Sequence, residues 1–370
     1  MFKIIYPLKD TTIYDRFPEK NVGIDQILEI TKYTQGDSYQ SSITENYPWP
    51  ETYNSRILMK FDLTPIQTVL AEFNPTSIQS KLILIPTEAE SLQNEYTLYA
   101  YPIAEDWRNG NGNYNDAPAV NNGVSWYYKT NGATLDEWST SHQYQQTHIS
   151  GGGSWYTSSV ASQSFSFEEP TVNMDITNIL HRWLSSSITN NGIIIKHSED
   201  AETNTDIYGS LKFFAKETHT IYIPRLVTYI SEPTYTGSFT TASLIGPETE
   251  YIIHARNLKT RYKLSDDVKI RYRIKDVFAE QTYQSSSILD YASLRLPTSS
   301  YYSIVDSITN IPMVDFNTVG TRINTDDYGH YIRINFNNFL PERYYKIVYK
   351  IINDEGTRII DPKHEFKVIR

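Results

Sequence analysis

Short runs of alternating apolar and polar residues recur along the chain, and they predict β-strands. In the first half the pattern is clear at Ile24–Ile30 and Arg56–Phe61, and Ser80–Pro86 is a compact apolar run that ends at a proline. Successive side chains on a strand point to opposite faces of the sheet, so such runs predict half-buried or buried strands. Similar runs in the second half are Tyr251–Ala255, Val268–Ile274, Tyr331–Phe336, Tyr344–Ile352 and Glu365–Ile369.

Two segments have a helical pattern instead. A short helix is predicted to begin at Thr64, whose side chain can accept free backbone amides, and Pro65 follows at a position that needs no amide. The longer helix is predicted over Asp175–Ser185, with Asp175 or Thr177 as its N-cap. Its apolar residues recur at intervals of three and four, which predicts one face packed inward. They are Ile176, Ile179, Leu180, Trp183 and Leu184.

Asn, Gly and Trp are interleaved between Glu105 and Gly153, where the strand pattern breaks off. Both Gly and Asn tolerate a positive φ. The segment therefore predicts either a long ordered excursion or several tight turns.

The chain is long enough for two hydrophobic cores, because 370 residues exceed the size at which one core usually keeps growing. A polar stretch that begins at Ser231 is typical of a linker. We therefore predict an all-β protein with one β-sandwich over residues 1–230 and a second over residues 231–370. The short strands of the second domain favour an immunoglobulin-like or jelly-roll sandwich, by analogy alone.

Composition supports the all-β prediction and removes several kinds of chemistry. Tyr occurs 30 times and Met 4 times, a balance that favours pleated sheets over helical packing. Because the sequence has no cysteine, disulfides, thiolate metal sites and thiol nucleophiles are excluded. No apolar run has the length of a signal peptide or a membrane span, so we expect a protein that is neither exported by the usual route nor embedded in a membrane.

The net charge is acidic and unevenly distributed. A value of −10 argues against a protein that wraps nucleic acid. Residues 1–230 carry 15 Lys and Arg against 26 Asp and Glu, whereas residues 231–370 carry 18 against 17. This asymmetry fits either two solvated surfaces or two ends that meet different neighbours.

Seven segments of residues 1–230 follow one another in a recognisable order. They are DTTIYD (10–15), NVGIDQILEI (21–30), SRILMKFDLTPI (55–66), SIQSKLILI (77–85), NMDITNILHRWL (173–184), NNGIIIKH (190–197) and IPRLVTYI (223–230). The series resembles the DNRLRE-type carbohydrate-binding-module family, found beside polysaccharide-acting domains and in phage structural proteins. The resemblance implies a β-sandwich with a Trp-containing insertion between strands, and it leaves residues 231–370 uncovered.

No catalytic motif is recognisable in the sequence. The histidines form no HExxH metalloprotease motif, and the sequence has no GxSxG nucleophile elbow. The eight histidines are His142, His148, His181, His197, His219, His254, His330 and His364. The carboxylate doublets Glu105-Asp106, Asp136-Glu137 and Glu168-Glu169 would each offer one member to a given face of a strand. Such doublets do not supply the facing pair that glycoside hydrolysis needs, so we expect no enzymatic activity.

Oxygen-bearing side chains alternate in the segment SEDAETNTDIYGS (198–210). They are hard ligands of the kind that Ca²⁺ prefers, namely Asp200, Glu202, Asn204 and Asp206. The segment lacks the central Gly and the distal Glu of an EF-hand. Two interpretations stay open, a solvated hairpin tip and a weak Ca²⁺ site, and no other cofactor is expected.

Aromatic residues are concentrated in the Asn- and Gly-rich segment. The candidates for glycan or partner contact are Trp107, Trp126, Tyr127, Trp138 and Trp155, with Tyr114, Tyr128 and Tyr156 nearby. Three roles are compatible with the pattern: a sugar-stacking platform, a core beneath a long loop, or an anchor in a protein interface.

Cations occupy every second position of one predicted strand in the second domain. They are Lys269, Arg271, Arg273 and Lys275, and the apolar Ile270, Tyr272 and Ile274 alternate with them. The pattern predicts either a strand with one solvated face or a docking face for an acidic neighbour, such as residues 1–230 of an adjacent copy.

Together these observations favour a bacteriophage virion structural protein, a component of the tail, the neck or the fibre-attachment region. It would act through protein–protein interfaces in a symmetric assembly, with other virion proteins and copies of itself as partners. Assembly in the host cytoplasm would need no export signal, and neither nucleic acid nor membrane is an expected partner. The alternative is a carbohydrate-binding module or glycan-recognition protein that uses the Trp-containing segment, with Ca²⁺ in the acidic loop.

Overall fold

The computed structural model describes residues 1–34, 52–139, 151–166, 168–233, 250–277, 294–354 and 356–370. Its helices are α1 (Thr64–Glu72), α2 (Thr177–Leu184) and α3 (Glu199–Thr203). The strands before residue 231 are β1 (Phe2–Ile5), β2 (Pro7–Tyr14), β3 (Ile27–Thr34), β4 (Thr52–Phe61), β5 (Ile78–Leu84), β6 (Pro86–Glu90), β7 (Glu95–Pro102), β8 (Tyr128–Thr130), β9 (Asp136–Glu137), β10 (Ala161–Ser166), β11 (Val172–Asp175), β12 (Ile193–His197), β13 (Gly209–Phe214) and β14 (Arg225–Ile230).

The later strands are β15 (Tyr251–Ala255), β16 (Arg261–Lys263), β17 (Asp267–Asp276), β18 (Ser300–Asp306), β19 (Pro312–Val314), β20 (Asn324–Asp326), β21 (Gly329–Asn335), β22 (Arg343–Asn353) and β23 (Gly356–Ile369). Strands far outnumber helices in the described residues, which confirms the predicted all-β fold. Within that part of the chain, no helix is both long and apolar enough to cross a membrane.

The strands form several sheets. A four-stranded sheet has the order β1-β14-β5-β11, and an eight-stranded sheet has the order β10-β7-β12-β4-β3-β13-β6, with β2 also paired to β4. The later strands form the sheets β15-β17-β21-β20 and β16-β23-β22-β18-β19, and β8 pairs with β9 alone. Whether these sheets stack as two sandwiches stays a prediction.

The chain divides into two compact units. The larger unit comprises Ile5–Gln67 and Ser80–Leu226, and the smaller unit comprises Met1–Ile4, Thr68–Gln79 and Val227–Arg370. A boundary drawn near Ser231 lies close to the start of the main segment of the smaller unit. Met1–Ile4 and Thr68–Gln79 belong to the smaller unit as well. A single boundary in the sequence cannot produce this division.

The amphipathic helix in the larger unit forms where the apolar spacing predicts it. In α2 the side chains of Ile179, Leu180 and Trp183 are buried. Ile176 occupies the N-cap position without a side-chain hydrogen bond, while the carboxylate of Asp175, one of the two predicted caps, accepts the amide of Thr177 at 2.9 Å. The hydroxyl of Thr177 instead accepts the amide of Ser80 at 2.9 Å.

The Asn- and Gly-rich segment is an ordered excursion over residues 105–139, and Asn21 organises it. The Asn21 amide donates to the carbonyls of Asn109 at 2.7 Å and Val124 at 2.8 Å, and its Oδ1 accepts the amide of Gly112 at 3.0 Å. Gly110 has a φ of +83°, and a Cβ there would lie 2.1 Å from a backbone oxygen. A glycine at position 110 is therefore needed for the close packing of residues 105–139.

Aromatic rings fill the core of the smaller unit. Tyr262 stacks on Phe336 with centroids 4.6 Å apart, and Phe366 meets Phe336 edge-on at 5.3 Å. Phe2 also belongs to this unit and lies 6.2 Å from Phe339. The chain's amino group donates to Ile230 at 2.9 Å, which holds the first strand in place.

Candidate binding surfaces

The Trp-containing segment forms part of the hydrophobic core of the larger unit. Trp107, Trp126, Trp138 and Trp155 are each 3% exposed or less and pack with Ile13, Leu58 and Ile194. The ring nitrogen of Trp107 donates to Asn191 at 3.0 Å, and that of Trp138 donates to Ser125 at 3.1 Å. Tyr127 is half-buried against the same cluster. Of the three roles compatible with the sequence, the geometry matches a core beneath a long loop, since these Trp rings have no exposed face for a sugar.

A buried group of charges lies directly against these rings. We call Arg56, Lys196 and Glu202 the Glu202 ion cluster. The guanidinium of Arg56 binds both oxygens of Glu202, with Nε–Oε1 at 2.9 Å and Nη2–Oε2 at 2.7 Å, and Lys196 reaches Oε2 at 2.6 Å. The Arg56 guanidinium also lies 4.6 Å from the ring centre of Trp126. Despite burial, the two cations lower the pKa of Glu202 to about 2.

The four predicted Ca²⁺ ligands are not brought together around one point. The segment forms the short helix α3, capped by Ser198, and it points Asp200 and Asp206 to solvent while Glu202 faces the two buried cations. Asn204 binds a lysine: the ammonium of Lys32 donates to its backbone oxygen at 2.5 Å and to its Oδ1 at 2.7 Å, as well as to the carbonyl of Ala201.

The ammonium group of Lys32 thus binds the carbonyl oxygens of Ala201 and Asn204 and the side-chain oxygen of Asn204, one of the predicted ligands. In the described residues, no group of three or more His, Asp or Glu side chains is placed to hold a metal ion. Glu202 and its partners are interior, so the segment is not a solvated hairpin tip, and Ca²⁺ binding by this loop stays a prediction.

The cationic strand is β17, and it lies in the middle of its sheet. Its neighbours are β15 and β21. Lys269 and Arg271 share one carboxylate: Lys269 reaches Asp326 at 2.9 Å, and Arg271 makes two contacts with it at 2.8 and 3.0 Å. These donors lower the pKa of Asp326 although burial opposes them. The Arg271 side chain is 27% exposed and that of Lys269 is 41% exposed, so both retain a solvent-facing part.

Aromatic and apolar side chains share this face with the cations. Arg271 is opposite Tyr331, Arg273 is opposite His254, and Lys275 is opposite Ile252. Lys269 lies 3.7 Å from the ring centre of Tyr331, and Arg271 lies 5.1 Å from that of Tyr328. Tyr328 is 77% exposed and Ile252 is 54% exposed. We call this surface the β17 face, composed of Ile252, His254, Lys269, Arg271, Arg273, Lys275, Tyr328 and Tyr331.

Burial shifts the pKa of several titratable groups in the described interior. Burial lowers the pKa of His197 and of His330 to about 4, so both are neutral, and the ring of His330 accepts the amide of Leu296 at 3.0 Å. Burial raises the pKa of Asp10 and of Asp15 to about 7, and each accepts a backbone amide. His142 and His148 lie outside the described residues.

The doublet Glu105-Asp106 is divided between different partners. Glu105 binds Lys129 at 2.7 Å and Ser154 at 2.6 Å, whereas Asp106 binds Lys60 at 2.9 Å. The absence of enzymatic activity stays a prediction.

A further cluster of aromatic side chains, which the sequence analysis did not single out, lies around Glu29 in the larger unit. We call it the Glu29 cluster, and it consists of Tyr14, Arg16, Phe17, Lys20, Glu29, Tyr33, Tyr53 and Tyr114. Tyr33 and Tyr53 are directly opposite on β3 and β4. The sequence shows a tyrosine near the end of β3 and another near the start of β4. It does not show the register that pairs them.

Comparisons with known proteins give no family. No protein-family model matches the chain, and no curated protein matches it. Among solved structures, the adhesin domain of Epf from Streptococcus pyogenes is similar at 8% identity and a TM-score of 0.17, over 99% of this chain and 96% of that one. A β-glucuronidase from Parabacteroides merdae gives 8% identity and a TM-score of 0.18, with 98% of this chain but 35% of that chain covered. Similarities this weak support no argument.

Proposed function

We propose that the protein is a non-catalytic structural component of a bacteriophage particle, in its tail, neck or fibre-attachment region. It works through surfaces that dock on other subunits, and the β17 face is the first of these surfaces. The single observation that supports the proposal is the sheet face on which the cations of β17 lie beside the exposed side chains of Ile252 and Tyr328 from neighbouring segments.

The composition of the β17 face is that of a protein interface. Arg and Tyr are enriched in the energetically important parts of interfaces, because both combine apolar area with hydrogen-bonding groups. Tyr328 and Ile252 are mostly exposed, so docking would remove them from water. The stacking of Lys269 and Arg271 on tyrosines holds these long side chains in place before a partner arrives.

The partner that fits this face is acidic. Asp326 compensates part of the charge of Lys269 and Arg271, while the exposed Lys275 extends the positive surface along the strand. Residues 1–230 of another copy, with 26 acidic against 15 basic side chains, are one suitable partner. A neighbouring virion protein with an acidic patch is the other.

Charge reversal at two positions tests the proposal. We choose Arg273→Glu with Lys275→Glu, because reversal of Arg271 would place a glutamate beside Asp326 and disturb folding. The matched control is Arg261→Glu with Lys263→Glu on β16, where the two cations are exposed and likewise two residues apart. Particles are assembled in cells that carry either double variant, and the protein is quantified in purified particles.

We expect the β17 double variant to be lost from particles, while the β16 control is incorporated like wild type. Melting curves of both purified variants separate docking from folding, because Arg273 is half-buried and its reversal can also change stability. Equal incorporation of the two variants would reject the β17 face as a docking surface. A protein absent from wild-type particles would reject the structural role as a whole.

The alternative prediction placed carbohydrate recognition on the Trp-containing segment. We do not propose it for those residues, because the rings of Trp107, Trp126, Trp138 and Trp155 are buried.

A further inference from the structure

We propose that Lys32 and Asn204 form an intramolecular isopeptide bond. The side-chain nitrogen of Lys32 displaces the side-chain amide nitrogen of Asn204 as ammonia and so links two parts of the larger unit covalently. The bond lies within that unit alone and does not depend on the docking role of the β17 face.

The two reacting groups come from distant parts of the sequence. Lys32 lies on β3, and Asn204 directly follows α3, 172 positions later in the chain. Lys32 is 0% exposed, and its Nζ lies 2.7 Å from Oδ1 of Asn204. The carbonyl carbon Cγ is bonded to that oxygen, so the nitrogen and the carbon that it attacks are held as neighbours. Such fixed proximity is a major source of rate acceleration, because it replaces a collision between free molecules.

The hydrogen bonds of the Lys32 nitrogen orient it for the attack. Nζ donates to the backbone oxygens of Ala201 and Asn204, the second at 2.5 Å. A neutral amine has two N–H bonds and one lone pair. When both N–H bonds point to these carbonyls, the lone pair faces the side-chain amide of Asn204. Burial lowers the pKa of Lys32 to about 8, against the opposing charges of Asp206 and Glu202, so neutral amine is present at physiological pH.

The side-chain amide of Asn204 has a hydrogen-bond partner at each end. Its Oδ1 accepts the backbone amide of Asp206 at 3.0 Å, and this N–H stabilises the negative charge that develops on the oxygen during attack. Its Nδ2 lies 3.5 Å from the hydroxyl of Tyr208. The phenol is therefore placed to give a proton to the leaving nitrogen.

The reaction balances without a further reactant. The Nζ–Cγ bond forms while the carbonyl electron pair moves to Oδ1. The pair then returns, the Cγ–Nδ2 bond breaks, and ammonia leaves with the proton from Tyr208. The phenolate regains a proton from Nζ, so Tyr208 ends unchanged and the products are one amide and one ammonia. The new bond closes a long loop of chain, which lowers the entropy of the unfolded state.

Mass spectrometry of the purified full chain tests the bond directly. Its formation lowers the intact mass by one ammonia. Trypsin does not cleave after an acylated lysine, so digestion should release residues 21–56 joined to residues 197–212 as one branched peptide.

Four variants identify the participants. Lys32→Arg and Asn204→Ala each remove one reacting group, and Tyr208→Phe removes the phenolic proton. Lys129→Arg is the matched control, because Lys129 also contacts a side chain of the larger unit, Glu105 at 2.7 Å.

We expect the loss of one ammonia and the branched peptide in the wild type and in Lys129→Arg, and neither in Lys32→Arg nor in Asn204→Ala. Tyr208→Phe should form the bond about a hundredfold more slowly, since a general acid typically contributes about that factor or more. A folded wild type that keeps the mass of its sequence overturns the proposal, whatever the variants do. A loss of ammonia that persists in Lys32→Arg overturns it too, because the asparagine of a pair such as Asn109-Gly110 can lose ammonia by closing on the next backbone amide.

Discussion

Replacing Glu202 with Gln should destabilise the larger unit by about 3–5 kcal/mol. The substitution keeps the shape of the side chain but removes the charge that Arg56 and Lys196 both contact. Because all three side chains are 4% exposed or less, the two cations would be left buried without their counter-charge. Breaking a buried ion pair on one side typically costs about 3–5 kcal/mol, most of it as the penalty for the unpaired charge.

The direction of the pKa shift of Glu202 agrees with this loss. Arg56 and Lys196 lower its pKa to about 2 although burial raises it, so the folded protein favours the ionised carboxylate, while burial lowers the pKa of Lys196. The expected loss is well above the roughly 0.5 kcal/mol that surface substitutions cause.

Tryptophan fluorescence during urea unfolding is a suitable assay. The six tryptophans fall between residues 49 and 183, so the signal reports on the first part of the chain and not on residues 231–370. Asp200→Asn is the matched control, because Asp200 lies on the same short helix and faces solvent. If Glu202→Gln and Asp200→Asn unfold with free energies within about 0.5 kcal/mol of each other, the ion cluster does not stabilise the fold as argued.

Further predictions concern the same unit. Trp183→Ala should cost about 3–5 kcal/mol, because α2 packs that ring inward; a variant with the wild-type urea midpoint would contradict the packing. Burial raises the pKa of Asp10 and Asp15 to about 7 from 3.8. The folded state therefore holds these protons more tightly, and the stability that these two carboxyls contribute is lost as the pH rises from 4 to 7, opposite in sign to the contribution of the buried His197 and His330. Between pH 4 and pH 7 the melting temperature of the wild type should therefore fall more, or rise less, than that of the Asp10→Asn, Asp15→Asn variant; identical pH profiles of the two proteins would refute this. Gly110→Ala should destabilise the Asn-rich excursion, since a Cβ there would lie 2.1 Å from a backbone oxygen; unchanged protease resistance of residues 105–139 would count against it.

The sequence predicts the fold class well because strand periodicity is a local property. Val268–Ile274 and Tyr331–Phe336 alternate in the sequence, and they pair in the structure as parts of β17 and β21. The face of α2 was likewise predictable, because three- and four-residue spacing alone decides which side chains are buried. The assignment of residues 1–4 and 68–79 to the smaller unit could not be predicted, because it depends on contacts between segments far apart in the chain.

The candidate sites were predicted less well, because residue type does not reveal burial. Residue type leaves Trp126 and Trp155 compatible with a sugar platform, a core or an interface, and the structure places both in the interior, where Arg56 stacks on the two rings. The acidic loop has Ca²⁺-type ligands, but Lys32 comes from a distant strand and binds its carbonyl oxygens. The Glu29 cluster escaped notice for a different reason, because the strand register that brings Tyr33 opposite Tyr53 is not visible in the sequence.

The docking role of the β17 face is tested most directly by comparing the exposure of Tyr328 in the free protein and in assembled particles. Hydroxyl-radical labelling followed by mass spectrometry reports on individual side chains, and Tyr328 is 77% exposed in the free chain. We predict strong labelling of Tyr328 and Ile252 in the free protein and a clear loss of labelling at both in the particle. Equal labelling in the two states would contradict the claim that this face is covered by a partner.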